Sequence, residues 1–189
     1  MIRLVGISGS LRQASFNTAL LRAAVAALPA DSDLEVRTLH GIPLYDGDLE
    51  ARDGIPPGVV ALKSAIIAAD GLLLATPEYN NGIPGVFKNG IDWLSRPGSD
   101  IPRVFGAKPC ALIGASPGGF GTVLSQNAWL PVLRALGVNL WPGARMLVSR
   151  ARTVFDEDGT LKDTAIQDQL RQFMRGFADF VQRCRTRPA

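Results

Sequence analysis

Three short segments of the chain are apolar at successive positions: Leu4-Val5-Gly6-Ile7, Leu72-Leu73-Leu74-Ala75 and Pro109-Cys110-Ala111-Leu112-Ile113. A strand with one wet face alternates apolar and polar residues. A continuous run of four or five reads instead as a strand buried on both faces, which happens when helices cover both sides of a parallel sheet. Amphipathic stretches lie between the runs. Ala19, Leu20, Ala23, Ala24, Ala27 and Leu28 recur at helical spacing before Pro29, and Val59, Leu62 and Ile66 give a second stripe. A helix is expected from about Pro84 to Leu94 and another over Trp129 to Leu136. Ile166, Leu170, Phe173, Met174, Phe177 and Val181 mark a long closing helix. Leu34 to Leu39 reads as an edge-side strand and Val138-Asn139-Leu140 as the last core strand, while Ile42 to Pro57 reads as a loop with little regular structure. Five strands alternating with helices make an α/β fold with a parallel sheet in one domain.

Composition removes several function classes. The chain has 189 residues, one domain's worth, and is taken as a single unit over residues 1–189 with about 182–189 as a flexible, solvated tail. Two separated cysteines, Cys110 and Cys184, make no disulfide framework, and a single histidine, His40, argues against a zinc enzyme. The net charge of +3 comes from scattered arginines rather than one basic element, which argues against nucleic acid and leaves anionic small molecules as partners. No apolar run is long enough to span a bilayer, and Met1-Ile-Arg-Leu-Val moves straight into a strand with no room for a signal peptide. A cytoplasmic setting is therefore expected.

In an open parallel sheet, ligands bind beyond the carboxyl ends of the strands, where the strand order reverses. Three loops should meet there. Ser8 to Asn17 offers hydroxyls, backbone N–H groups and one guanidinium at a helix start, which suits a phosphate; it also reads as a plain loop with Ser15 as N-cap. It has neither the lysine of a Walker A loop nor the glycine spacing of a dinucleotide fingerprint. Thr76 to Pro84 could wrap a flat polar heterocycle, with Tyr79 as aromatic surface, or form a turn set by proline and Asn-Gly. Ser116-Pro-Gly-Gly-Phe-Gly121 lets backbone approach a ligand closely. A phosphate loop with two ring-embracing loops fits a mononucleotide with a large planar ring, and FMN is that molecule. The match of Gly114-Ala-Ser116-Pro-Gly118 to the G-x-S-x-G elbow of serine hydrolases is set aside. Pro117 has no N–H for an oxyanion hole, and His40 precedes the serine rather than following it.

Taken together, Gly9 to Asn17, Pro43-Leu-Tyr-Asp46, Thr76-Pro-Glu-Tyr-Asn80, Ile83 to Trp93 and Ser116-Pro-Gly118 resemble the NAD(P)H-dependent FMN reductase family, which includes quinone and chromate reductases. The likeness runs in order and spacing over roughly residues 2 to 180. It implies a flavodoxin-like doubly wound sheet in the order 2-1-3-4-5 with helices on both faces. It implies that Ser10, Arg12, Ser15, Phe16 and Asn17 hold the FMN phosphate. Pro77, Glu78, Tyr79 and Asn80, with Ser116 and Gly118 opposite, would hold the ribityl chain and ring. It further implies hydride transfer from NADPH or NADH to bound FMN and onward reduction of quinones, azo compounds, chromate or free flavin in a ping-pong sequence. A homodimer or homotetramer is implied, with the helix bearing Lys88, Asn89 and Trp93 at the boundary, although Trp93 reads equally well as core. No side chain need act as acid or base, since the flavin carries the chemistry. The rival readings are a flavodoxin-type electron carrier, a class that is typically acidic, and a flavin-bound regulatory protein. The chain departs from the family pattern at two places. Asn81 stands where an aromatic residue is frequent, which bears on the mouth of the flavin site. Leu124-Ser125-Gln126 stands in place of Arg-x-Gln, which bears on tetramer contacts.

Overall fold

The first apolar run becomes β1 (Ile2–Ser8), and its alternate residues serve opposite faces of one sheet. Ile2 and Leu4 join one core, while Val5 and Ile7 join the other. The computed structural model describes residues 1–186. After β1 come α1 (Phe16–Ala26), β2 (Ser32–Arg37), α2 (Gly47–Asp53), α3 (Pro57–Ala68), β3 (Gly71–Ala75) and α4 (Gly85–Leu94). A 3-10 turn (Gly98–Asp100) leads into α5 (Ile101–Val104), β4 (Pro109–Ala115), α6 (Val123–Ala135), β5 (Asn139–Leu140), β6 (Met146–Val148), α7 (Ala151–Val154) and α8 (Thr164–Thr186).

The strands pair in parallel in the order β2-β1-β3-β4-β5, with β6 also on β4. This is the doubly wound, flavodoxin-like order, with the reversal between β1 and β3. Leu73, Ala75, Ala111 and Ile113 face α1 and α8, whereas Leu72, Leu74, Cys110 and Leu112 face α3, α4 and α6. Period-two alternation within fully apolar strands therefore builds two cores at once.

Several elements differ from the sequence reading: α6 begins at Val123 and not near Trp129, the short helices α5 and α7 have no counterpart in it, and three further differences concern the last strand, α2 and the tail. The last core strand is split: β5 pairs Pro109 and Cys110, β6 pairs Ile113 to Ala115, and Ala111 and Leu112 of β4 face the break. Trp141 still donates its N–H to the Cys110 carbonyl at 2.8 Å while its ring packs on Phe173 and Phe177 of α8, at ring-centroid distances of 4.9 and 5.8 Å, and Pro142 has no N–H to continue the ladder. The stretch from Ile42 to Pro57, expected as a loop, contains α2, which is capped by Asp46 accepting from Asp48 N–H and fully buries no residue. An unburied helix leaves no apolar stripe to read. The tail expected over 182–189 is helical through Thr186, and 187–189 lie outside the described residues. Among the described residues no helix is long and apolar enough to cross a membrane.

Cys110 sits fully buried in β4, and burial pushes its thiol up to about 12. The charged thiolate has no stabilising partner there, so the group stays protonated at neutral pH. Cys184 is only part-buried near the end of α8. A thiol reagent at pH 8 should therefore modify Cys184 alone in the native protein and both cysteines in denaturant, counted by absorbance. Two rapid equivalents without denaturant would contradict the burial of Cys110.

Candidate functional site

The loops after β1, β3 and β4 meet at the carboxyl edge of the sheet, beside the β1/β3 reversal. Ser10, Arg12, Ser15, Phe16, Asn17, Pro77, Glu78, Tyr79 and Ser116 line one cleft of about 50 Å³, completed by Ala115 and Pro117. That volume suits a phosphate group and not a ring system. Two of the sequence-nominated residues stand outside it. Asn80 sits in the tip of a tight turn, and Gly118 uses its N–H on Ser116 Oγ at 3.1 Å.

The loop after β1 is shaped by close approach. A Cβ on Gly9 would meet the Phe87 ring at 2.1 Å, so no larger residue fits at that corner. Ser15 caps α1, its Oγ accepting from Thr18 N–H at 3.3 Å. The N–H groups of Phe16 and Asn17 in the first turn are left with no acceptor within the described chain, and they lie at the positive end of the helix dipole. The Ser10 hydroxyl is 3% exposed and has only long contacts, to Arg12 N–H at 3.3 Å and to the Tyr79 hydroxyl at 3.5 Å. The Arg12 guanidinium makes no ion pair among the described residues. Free N–H groups, an under-bonded hydroxyl and an unpaired guanidinium together fit a phosphate.

Two nominated side chains are engaged elsewhere. Asn17 brackets Ala115: its Nδ2 donates to the Ala115 carbonyl and its Oδ1 accepts the Ala115 N–H, both at 2.9 Å. Only its backbone N–H remains available to a ligand. Glu78 Oε2 accepts from Leu124 N–H at 2.8 Å and Ser125 N–H at 3.0 Å, capping α6, whose own N-cap Thr122 makes no capping bond. Beside it, Thr76 Oγ1 accepts from Trp129 Nε1 at 3.0 Å and lies 2.8 Å from Ser125 Oγ. This buried group ties the second loop to α6.

Tyr79 and Gly82 bridge each other at 3.0 and 3.2 Å across Asn80 and Asn81, whose φ values are +50° and +62°. Two successive left-handed residues define a tight hairpin turn, and asparagine tolerates that conformation far better than an aromatic or branched residue. The departure at Asn81 thus has a backbone cause. At the other departure, Gln126 Nε2 donates to the Met146 carbonyl at 3.0 Å, and Arg145 Nε reaches Gln126 Oε1 at 3.4 Å.

His40, just beyond the end of β2, has a structural contact to the loop after β1. Its Nε2 donates to the Leu11 carbonyl and its Nδ1 lies by Thr38 Oγ1, both at 3.0 Å, so it pins the phosphate-loop candidate to the end of β2. Nothing local to His40 announces this, since Leu11 is distant in sequence. Trp93 is fully buried and donates to the Pro43 carbonyl at 2.9 Å; it packs in its own chain's core. Asn89 holds the same segment, donating to the Pro43 carbonyl and accepting from Tyr45 N–H, both at 2.8 Å. Among the described residues no group of three or more His, Cys, Asp or Glu is placed to hold a metal ion.

Sheet order defines a flavodoxin-like protein, and the candidate cleft lies at its topological switch point. Comparison with known proteins agrees. The family model for NADPH-dependent FMN reductases matches residues 2–153, and the chain belongs to that family, a group of flavin- and NAD(P)H-dependent oxidoreductases. An NAD(P)H-dependent FMN reductase of Pseudomonas aeruginosa is 40% identical over 184 residues, which are 97% of each chain. A 2-hydroxy-1,4-benzoquinone reductase of a Burkholderia species is 35% identical, over 95% of this chain and 96% of the relative. Among solved structures, a flavoenzyme NAD(P)H:(acceptor) oxidoreductase of Paracoccus denitrificans superposes with a TM-score of 0.84 at 31% identity, over 97% and 98% of the two chains.

The hydrogen bonds separate ligand-facing residues from scaffolding. Asn17→Ala leaves the Ala115 N–H and carbonyl unpaired in a buried place and should cost about 2–4 kcal/mol in urea unfolding. Glu78→Ala removes the α6 cap and should cost about 1–2 kcal/mol. Arg12→Ala, with no partner in the chain, should leave the unfolding midpoint unchanged. An equal loss in all three variants would contradict this division.

Proposed function

We propose that the chain binds FMN at this cleft, takes a hydride from NADPH or NADH, and passes the electrons to quinones. The observation that supports the reading most directly is the convergence of the three loops on one phosphate-sized cleft at the start of α1. The N–H groups of Phe16 and Asn17, the Ser10 hydroxyl and the Arg12 guanidinium would hold the phosphate, and backbone from Pro77 to Tyr79 and around Ser116 would border the ring. FMN, when bound, supplies hydride acceptance and electron transfer, which no side chain of the protein can perform.

What the chain contributes is position and exposure. Tyr79 is 45% exposed and Phe120, at the tip of the glycine-rich loop, is 84% exposed. Both give apolar ring surfaces to a planar donor or acceptor on the open side. In this reading one face of the bound flavin stays open and donor and acceptor share it, which is the basis for a ping-pong order. The quinone acceptor is proposed from the Burkholderia relative, named for that activity. A cytoplasmic homodimer is part of the same reading, and sedimentation of the FMN-loaded protein tests its oligomeric part.

The test is an anaerobic absorbance titration of FMN-reconstituted protein with NADPH and then NADH. Bleaching of the flavin band that a quinone restores is expected, with parallel double-reciprocal lines in steady state. A bound flavin that neither donor reduces would move the protein to the electron carriers. Arg12→Ala should weaken FMN binding about tenfold or more through loss of charge-assisted bonds to phosphate. Unchanged affinity would remove Arg12 from the site.

A further inference from the structure

On the far side of the Arg12–Phe16 segment lies a much larger cavity, about 820 Å³, between the start of α1 and the turn that follows α7. Arg12, Ser15 and Phe16 line both this cavity and the small phosphate-sized cleft, so the two share a wall. It is a half-open pocket whose volume falls in the range of small-molecule sites. Nothing in the FMN reading uses it.

The lining carries two kinds of charge. Arg12, Arg22, Arg152 and Lys162 all face it, and none forms an ion pair among the described residues. The same lining includes the turn Asp156-Glu157-Asp158. Thr160 N–H donates to Asp156 Oδ1 at 2.7 Å and to Asp158 Oδ1 at 2.8 Å, which fixes both carboxylates in the turn. Phe16 adds a partly exposed ring, stacked on Phe155 at a centroid distance of 5.7 Å. Unpaired cations take phosphate, and a fixed carboxylate takes the hydroxyls of a ribose, the part an acidic residue plays in dinucleotide sites.

We propose that this cavity is a binding site for the adenylate half of FAD, so that the chain accepts FAD as well as FMN. The inference rests on the reading that the flavin phosphate sits at the start of α1. A pyrophosphate would then cross the shared wall at Arg12 and Ser15, and the adenosine would enter the larger space. Adenosine diphosphate is also carried by NAD(P)H. One feature favours the flavin as its source: the wall shared with the phosphate cleft, which puts a second phosphate within reach of the same Arg12–Phe16 segment.

The test titrates the full-length apoprotein with FMN and with FAD by fluorescence, alongside the double variant Arg22→Ala/Arg152→Ala. Both residues are exposed and unpaired, and FMN binding by the variant reports that it is folded. FAD should bind the parent protein within about tenfold of FMN. The double variant should weaken FAD by about tenfold or more, the loss expected for charge-assisted bonds to phosphate, and leave FMN within about twofold. FAD binding more than about a hundredfold weaker than FMN, or variant effects equal for the two flavins, would overturn the proposal. A rise in the NADPH or NADH dissociation constant with FAD unaffected would overturn it as well, by giving the cavity to the donor. If neither flavin binds the parent protein, the FMN reading itself fails and this inference falls with it.

Discussion

A single side-chain amide holds the functional end of this molecule together. Asn17, in the first turn of α1, pairs with both backbone groups of Ala115 at the end of β4. Ser8 at the end of β1 adds a hydroxyl contact to Thr18 at 2.8 Å. Buried amides left without such partners cost about 1–3 kcal/mol each, so the bracket is fixed by the penalty of breaking it more than by the gain of forming it. Because of it, a helix start and a strand end from distant parts of the chain sit side by side. Their loops then have little choice but to converge.

The second loop obeys the same logic. Glu78 caps α6 from 46 residues away in sequence, and Thr76 joins Ser125 and Trp129 in a buried polar group. The turn at Asn80 and Asn81 closes the loop with two left-handed residues. Several polar side chains that look like ligand contacts therefore serve the scaffold. What faces the cleft is mostly backbone N–H, one under-bonded serine and one unpaired arginine. In the proposed reading such a site would take a phosphate by geometry set in advance, which lowers the ordering cost of binding.

Much of this was legible in residue order. The continuous apolar runs of β1, β3 and β4 announce strands covered on both sides, and the loops after them mark where a ligand can sit. Ser15 and the apolar stripe of α1 were readable as a helix start. The first half of α6 was not, because its cap comes from Glu78 and not from a neighbour. The split between β5 and β6 was hidden too, since it depends on Trp141 packing on α8. Helix α2 fully buries no residue, only Leu49 packs partly on the core, and so it left no periodic trace. In each case the missing signal is an interaction between residues far apart in sequence, or a lack of burial.

Sequence alone therefore determined the class of fold and the three loops at its carboxyl edge, because apolar periodicity and loop composition are local properties of the chain. Only the tertiary structure decided which nominated side chains are free to touch a ligand. Asn17 and Glu78 are claimed by backbone groups of β4 and α6, while Arg12 and the first N–H groups of α1 remain unclaimed. The reason is that a buried polar group must be paired, and its partner is set by where the packed sheet and helices bring the backbone.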